Sequence, residues 1–288
     1  MSLHRPHGTL TRDGWDCVVG PDEAGWEFSG LRVLELAPGG SRTFDTGPDE
    51  MLVLPLAGAA RVSCDGGTAT LDGRPSVLSG PTDFAYLPVG TTVTVSSLAG
   101  ARIALPAARA TRRLPFRVQP AGKVPVELRG AGSCSRQVNN FCTPEAFETD
   151  KLIACEVLTP AGNWSSYPAH KHDEAGPHES ELEEIYYFEI GSGPAGEPGF
   201  GYHRTSSSAR GEIDVLAEVR DRDVALVPYG WHGPCIAAPG FDMYYLNVMA
   251  GPGAQRAWLI SDHPDQTWVR GTWAYQDVDP RLKEGHRL

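Results

Sequence analysis

Two histidines separated by a single residue, His170 and His172 in PAHKHDE, are the first stretch of the sequence with obvious chemical content. In an extended strand, positions i and i+2 face the same way, so both imidazoles can reach one point in space. Further on, Glu184 stands at the head of EIYYFEI, a run of β-branched and aromatic residues that reads as a strand. His232 follows a Pro/Gly corner in VPYGWHG. Three imidazoles and a carboxylate form a mixed nitrogen and oxygen donor set. Such a set suits a divalent metal ion that keeps open positions for a substrate.

The carboxylate has rivals, because Glu179, Glu181 and Glu183 lie just upstream of Glu184. Strand alternation puts Glu184, Tyr186 and Phe188 on one face and Ile185, Tyr187 and Glu189 on the other, so Glu183 points away from Glu184. The remaining glutamates, with Asp173, Glu174 and His178, read as a solvated acidic loop at the mouth of the site.

These residues need a rigid frame, and composition says which kind. The chain has 288 residues, of which 41% are hydrophobic and 21% charged, with 33 glycines and 24 prolines. That much glycine and proline favours many turns and short strands over long helices. The length allows one large all-β unit or two ordinary domains. Lysine and arginine number 25 against 36 acidic residues, a net charge of −11, which argues against a nucleic-acid or anionic-membrane partner. An anionic substrate would therefore need a local cation to receive it. The start, MSLHRPHGTL, has no apolar leader-like segment, and no later stretch has the roughly 18 apolar residues of a membrane span. Six cysteines without a C-x-x-C pair read as buried reduced thiols, which fits a cytoplasmic protein.

Along the chain, residues 1–28 form an irregular arm. From Leu31, short apolar runs alternate with Gly, Pro and Asp breaks, the spacing of a sandwich or barrel. No histidine lies between His7 and His170, so this first β unit cannot supply a histidine cluster. Its phrase DFAYLPVGTTVTVSS imitates the strand and turn of VALVPYGWHG, with Thr91 and Thr92 where a ligand would stand. It reads as a degenerate copy, residues 29–115, that serves as scaffold and interface. The basic, proline-containing run around Arg112, Arg113 and Arg117 reads as the link to a second lobe, residues 116–288.

Within that second lobe, CSRQVNNF (134–141) sets Arg136 and two asparagines in an apolar context, either as a tie between lobes or as help in holding a carboxylate. GFGYHRTSS offers Tyr202, His203 and Arg204 as substrate-binding residues; Arg204 is the preferred receiver of a carboxylate, because a guanidinium grips it with two parallel bonds. Lys171, between the two ligands, should point the other way. In the strand FDMYYLNVMAGP, Tyr244, Leu246 and Val248 share one face, and Met243, Tyr245 and Asn247 the other.

The ligand spacing resembles that of the cupin family, whose motifs run H-x-H, a spacer, E-x6-G, and later P-x-G-x-x-H. Glu184 and Gly191 fit E-x6-G, which selects Glu184 among the glutamates; Pro228, Gly230 and His232 fit the second motif with one residue fewer. The sequence departs from the pattern in its long spacer between His172 and Glu184 and in Trp164 and Arg222, which stand at two usual glycine positions. More specifically, SGPTDFAYLP, CSRQVNNF, PAHKHDE, LEEIYYF, VPYGWHG and DMYYLNVMAGP together resemble the 5-deoxy-glucuronate isomerase family of bacterial inositol catabolism. That resemblance implies an all-β bicupin, two jelly-roll barrels packed together, that interconverts 5-deoxy-D-glucuronate and 5-dehydro-2-deoxy-D-gluconate. Kinship with the 4-deoxy-threo-hexosulose-uronate ketol-isomerases implies a metal held by His170, His172, Glu184 and His232. Zinc is the first expectation, with manganese, iron or nickel as alternatives.

An aldose–ketose isomerisation moves a proton between adjacent carbons through an enediol, whose developing charge a divalent metal can stabilise. The proton carrier remains open among Tyr186, Tyr229 and Glu183. A metal-dependent dioxygenase and a non-catalytic sugar-acid-binding bicupin are the rival readings. A small-molecule sugar acid is the expected partner, and exposed sheet edges favour a homo-oligomer.

Overall fold

The computed structural model describes residues 2–282, so the outer limits expected at 1 and 288 lie outside the described residues. Three antiparallel sheets carry the molecule. The first lobe is organised around one long strand, Asp49–Cys64, which belongs to two sheet surfaces. It pairs with Phe84–Leu87 and Ala101–Arg109 in its first half and with Gly67–Arg74 and Thr92–Ser96 in its second. The bend between the halves lies at Gly58, at φ +81°, where a Cβ would meet the Gly100 carbonyl oxygen at 2.5 Å. Strand Arg117–Gln119, just past the expected boundary at 115/116, pairs with Phe84–Leu87.

The second lobe faces a seven-stranded sheet with a six-stranded one. Glu183–Ile190 and Met243–Ala250 are adjacent and central in the larger sheet, while Phe200–Ser208, Trp231–Ala237 and His170–Lys171 are neighbours in the smaller. The N-terminal arm is divided between the lobes: Cys17–Val19 pairs with Ser29–Leu36 of the first. His4–Arg5 adds an edge strand to the larger sheet of the second, and His4 Nε2 lies 2.8 Å from Asp223 Oδ2.

Side-chain alternation explains how the lobes join. In Met243–Ala250, the residues Met243, Tyr245 and Met249 enter the interior of the second barrel. Tyr244, Leu246, Val248 and Ala250 turn outward into a core shared with Leu31, Val33, Leu52 and Leu54 of the first lobe. The two faces agree with those expected from strand alternation, and both are buried, so the strand is apolar on both sides. Ile185 and Tyr187 use the same outward face next door, again as expected. The interior of the first barrel is filled by aliphatic side chains such as Leu34, Met51, Val62 and Ile103.

Ionic ties cross this apolar seam. Arg74 donates two hydrogen bonds of 2.7 Å to Glu156, both groups being buried, and Arg102 grips Glu189 at 2.9 and 2.5 Å. Glu50, on the first lobe, accepts the main-chain N–H groups of Asp150, Lys151 and Leu152 as well as the Tyr86 hydroxyl. The linker arginines are similarly committed: Arg112 pairs with Asp150 at 2.7 Å.

Candidate active site

The four residues expected to hold a metal converge inside the second barrel. His170 and His232 lie directly opposite each other on adjacent strands of the smaller sheet, and Glu184 points at them from the larger one. A ring nitrogen from each of His170, His172 and His232 falls within 4.8 Å of the others. Glu184 Oε2 is 3.1 Å from His172 Nε2 and 3.0 Å from His232 Nε2.

The orientation of the rings is fixed from behind. His172 Nδ1 sits 3.2 Å from the Leu182 carbonyl oxygen, and His232 Nδ1 sits 3.0 Å from that of Gly230. A carbonyl only accepts, so in each ring Nδ1 carries a proton, and both Nε2 atoms turn inward, that of His172 onto the Glu184 carboxylate. His232 Nε2 is buried without a hydrogen bond, because the nearby Glu184 oxygen is close enough but poorly aligned. An orphaned inward nitrogen beside two more imidazoles and a carboxylate is what a divalent ion would satisfy, and the residues fit the metal that the sequence suggests. Burial keeps His170 neutral, with His232 reinforcing the effect. Burial also opposes the charge on Glu184, but His232 and His172 outweigh it and hold that carboxyl below the usual range.

The long spacer after His172 turns out to be a closed excursion. Leu182 N–H bonds to the His172 carbonyl at 2.9 Å, and Asp173 pairs with Glu181 across its base. The chain thus leaves and returns at one place, so the intervening length does not alter where Glu184 stands. The excursion is not simply solvated. Asp173 and Glu179 are buried and bind the Lys171 ammonium at 2.8 and 2.7 Å. Asp173 Oδ2 also accepts the Gly230 N–H at 2.8 Å, tying the excursion to the turn that presents His232. Arg222, at a usual glycine position, takes the left-handed conformation a glycine would have, φ +65°, and reaches Glu35 of the first lobe at 2.8 Å.

A narrow cavity opens beside the ligands. His170 and Glu184 border it, as do Tyr186, Tyr245, Asn247 and Ser166. The Ser166 hydroxyl lies between the two phenols, 3.4 Å from Tyr186 and 3.0 Å from Tyr245. Ser166 itself is strained, at φ +46°, and its carbonyl oxygen would lie 1.8 Å from a Cβ on Gly233, so only glycine fits opposite it. Burial pushes both tyrosine hydroxyls up, which keeps them protonated.

Other expected site residues lie elsewhere. Glu183 faces the lobe junction, as its side of the strand requires, and accepts the N–H groups of Glu27, Phe28 and Ser29 at 2.8–2.9 Å. Tyr229 donates to the Glu212 carbonyl at 3.1 Å, on the outside. Tyr202 and Arg204 occupy the outward face of their strand, where Tyr202 is exposed and Arg204 pairs with Asp214. His203, on the inward face, packs behind Tyr186 with its nitrogens toward Thr205 and Cys235, and burial pushes it down to about 3. The alternation that brings His203 inward therefore sends Arg204 out. Instead, Arg129, Arg136 and Arg270 line the cavity. Only Arg136 had a sequence signal, its place in CSRQVNNF.

Residues 3–269 match the model of the KduI/IolB family. The chain is 40% identical over 267 residues to the 5-deoxy-glucuronate isomerase of Geobacillus kaustophilus, covering 92% of this chain and 94% of that one. It is 35% identical over 242 residues to that of Bacillus subtilis strain 168, covering 83% and 86%. An IolB-like protein from Salmonella typhimurium LT2 superposes with a TM-score of 0.85 at 33% identity, covering 93% of this chain and 99% of that one. Oxalate decarboxylase of Lactobacillus farciminis, 13% identical over 91% of this chain and 88% of its own, gives 0.63 and shares the two-barrel fold, so the architecture is that of a bicupin. The chain belongs to the KduI/IolB family.

Proposed function

We propose that this chain is a metal-dependent aldose–ketose isomerase that converts 5-deoxy-D-glucuronate to 5-dehydro-2-deoxy-D-gluconate. The observation that carries the reading is the buried cluster of His170, His172, His232 and Glu184 opening on a cavity lined by hydroxyl and N–H donors. Relatives of this chain at 35–40% identity bear the isomerase name, which supports the same substrate. Those four residues would hold the metal, with zinc our assignment and manganese, iron or nickel acceptable to the same donors. When bound, the metal supplies Lewis acidity to a carbonyl oxygen and its enediolate.

The protein's own part is to position the sugar and carry protons. The reaction takes a proton from the hydroxyl-bearing carbon and delivers one to the neighbouring aldehyde carbon, with no net oxidation. Of the three carriers open in the sequence, only Tyr186 borders the cavity. As a neutral donor it can hydrogen-bond an oxygen that gains charge, and Ser166 links it to Tyr245 as a short hydroxyl path. The same reading places the enzyme in inositol catabolism in the cytoplasm, as a homo-oligomer that covers exposed sheet edges; among the described residues no helix is long and apolar enough to cross a membrane.

The test is a coupled assay with 5-deoxy-D-glucuronate before and after chelation, with and without oxygen, alongside His172→Ala. Turnover should be equal in air and in nitrogen, vanish on chelation, return with added metal and be absent in the variant. Turnover that survives both chelation and the substitution would remove the metal from the reaction. Oxygen-dependent consumption would point to a dioxygenase instead.

A further inference from the structure

Three arginines line the cavity, and two of them are already neutralised. Arg129 bonds Glu127 at 2.9 and 2.7 Å, and Arg270 bonds Asp262, one contact measuring 2.7 Å. Arg136 differs. It is only 5% exposed, yet among the described residues no carboxylate lies within ion-pair distance. Its one hydrogen bond runs from Nη1 to the Cys134 carbonyl at 3.0 Å. Burial, with the neighbouring charges of Arg129 and Arg270, pushes it down to about 10, so it still carries its charge at neutral pH. A buried, unpaired guanidinium is costly, and proteins keep such a group where a counter-ion arrives from outside.

Two further donors on the same wall have no acceptor. Asn247 Nδ2 and Trp258 Nε1 are both buried without a hydrogen bond, and both residues border the cavity with Arg136. Two buried donors without an acceptor, beside a guanidinium with no carboxylate partner, make this wall suited to an acceptor-rich anion.

We propose that Arg136, with Asn247 and Trp258, forms the subsite that receives the substrate's carboxylate, in the cavity that His170 and Glu184 also border. The inference rests on the isomerase reading and adds to it the residue that selects an acid over a neutral sugar. It also moves this role from Arg204, whose guanidinium is turned outward to Asp214. A purely structural alternative is available in Trp273, over which the Arg136 guanidinium lies at 5.4 Å and that of Arg270 at 5.3 Å. Stacking alone would not leave the two neighbouring donors unsatisfied.

The experiment compares metal-loaded wild type, Arg136→Met and Arg136→Lys on the sugar acid and on its uncharged amide, with metal content and melting temperature measured for each. In Arg136→Met, KM for the acid should rise about 100-fold while kcat changes far less and the amide is unaffected. Arg136→Lys should fall in between, since it keeps the charge but not the planar fork. An unchanged KM for the acid would overturn the proposal. So would an equal loss on acid and amide, which is the signature of a packing role. Should Arg136→Met fail to fold, wild type alone decides: it must prefer acid to amide by about 100-fold, and equal use of both overturns the subsite. Tryptophan fluorescence titration with D-gluconate, which has no aldehyde to isomerise, separates the two readings. Binding that depends on Arg136 without turnover of the sugar acid would sink the isomerase and keep the subsite. Turnover indifferent to Arg136 would do the reverse.

Discussion

Two neighbours on one strand, Glu183 and Glu184, show how much a single residue position decides. Glu184 meets the histidines, whereas Glu183 accepts three main-chain N–H groups at the lobe junction. A carboxylate so engaged is unavailable as a base. Glu183→Ala should therefore lower stability by about 1–3 kcal/mol, from loss of charged hydrogen bonds to part-buried donors, with kcat within a few-fold of wild type. Tyr186→Phe should do the opposite, lowering kcat by about 100-fold with stability nearly unchanged. Urea unfolding and steady-state kinetics on both variants check the pair. A larger kcat loss in Glu183→Ala than in Tyr186→Phe would return the base to Glu183.

At the scale of elements, the spacer after His172 shows that an insertion is harmless when its ends are pinned together. Asp173 does the pinning, to Lys171, Ser208 and the Gly230 N–H, from outside the set of three histidines and Glu184. Its removal frees the turn that presents His232 and leaves the ammonium of Lys171 with less compensation. Asp173→Ala should weaken metal binding by about 10–100-fold, as loss of supporting hydrogen bonds does at metal sites. Competition with a coloured chelator measures it, and unaltered affinity would mean that the strand alone orients His232. Arg222 makes the complementary point. A left-handed position written without glycine is tolerated here because its side chain also reaches Glu35 on the other lobe.

Over the whole molecule, the first lobe contributes no ligand among the described residues, yet the second depends on it. The central strands Glu183–Ile190 and Met243–Ala250 present Glu184 and cavity residues on one face and bury Tyr187, Tyr244 and Leu246 against the first lobe on the other. The lobes therefore share one core, with Arg74 and Glu156 paired in the seam. Breaking that pair by Arg74→Met should cost about 3–5 kcal/mol, because Glu156 is left as an uncompensated buried charge. The double variant Arg74→Met with Glu156→Leu should recover most of the loss. Equilibrium denaturation of the two variants tests it, and a single variant as stable as wild type would show the seam to be apolar packing alone.

The sequence by itself determined that His170, His172, Glu184 and His232 converge, that there are two barrels, and which way the faces of the central strands point. Those features depend on period-two alternation and on motif spacing, both of which are local. It also supplied, in Thr91 and Thr92, the reason the first barrel lacks a histidine, and Thr92 is exposed there and bonded to Asp45. Only the tertiary structure decided which charges face the cavity. Arg204 sits beside His203 in sequence, but alternation turns it outward. Arg129 and Arg136 face each other across one local hairpin, Val126–Arg129 with Arg136–Asn140, and Arg270 is brought to the same wall from the late helix Trp268–Thr272 by the closing of the barrel. The partners that neutralise Arg129, Arg204 and Arg270 are near in sequence, at Glu127, Asp214 and Asp262, but which of these charges shares a wall with His170 and Glu184 follows only from how the sheets close, and no local pattern carries that information.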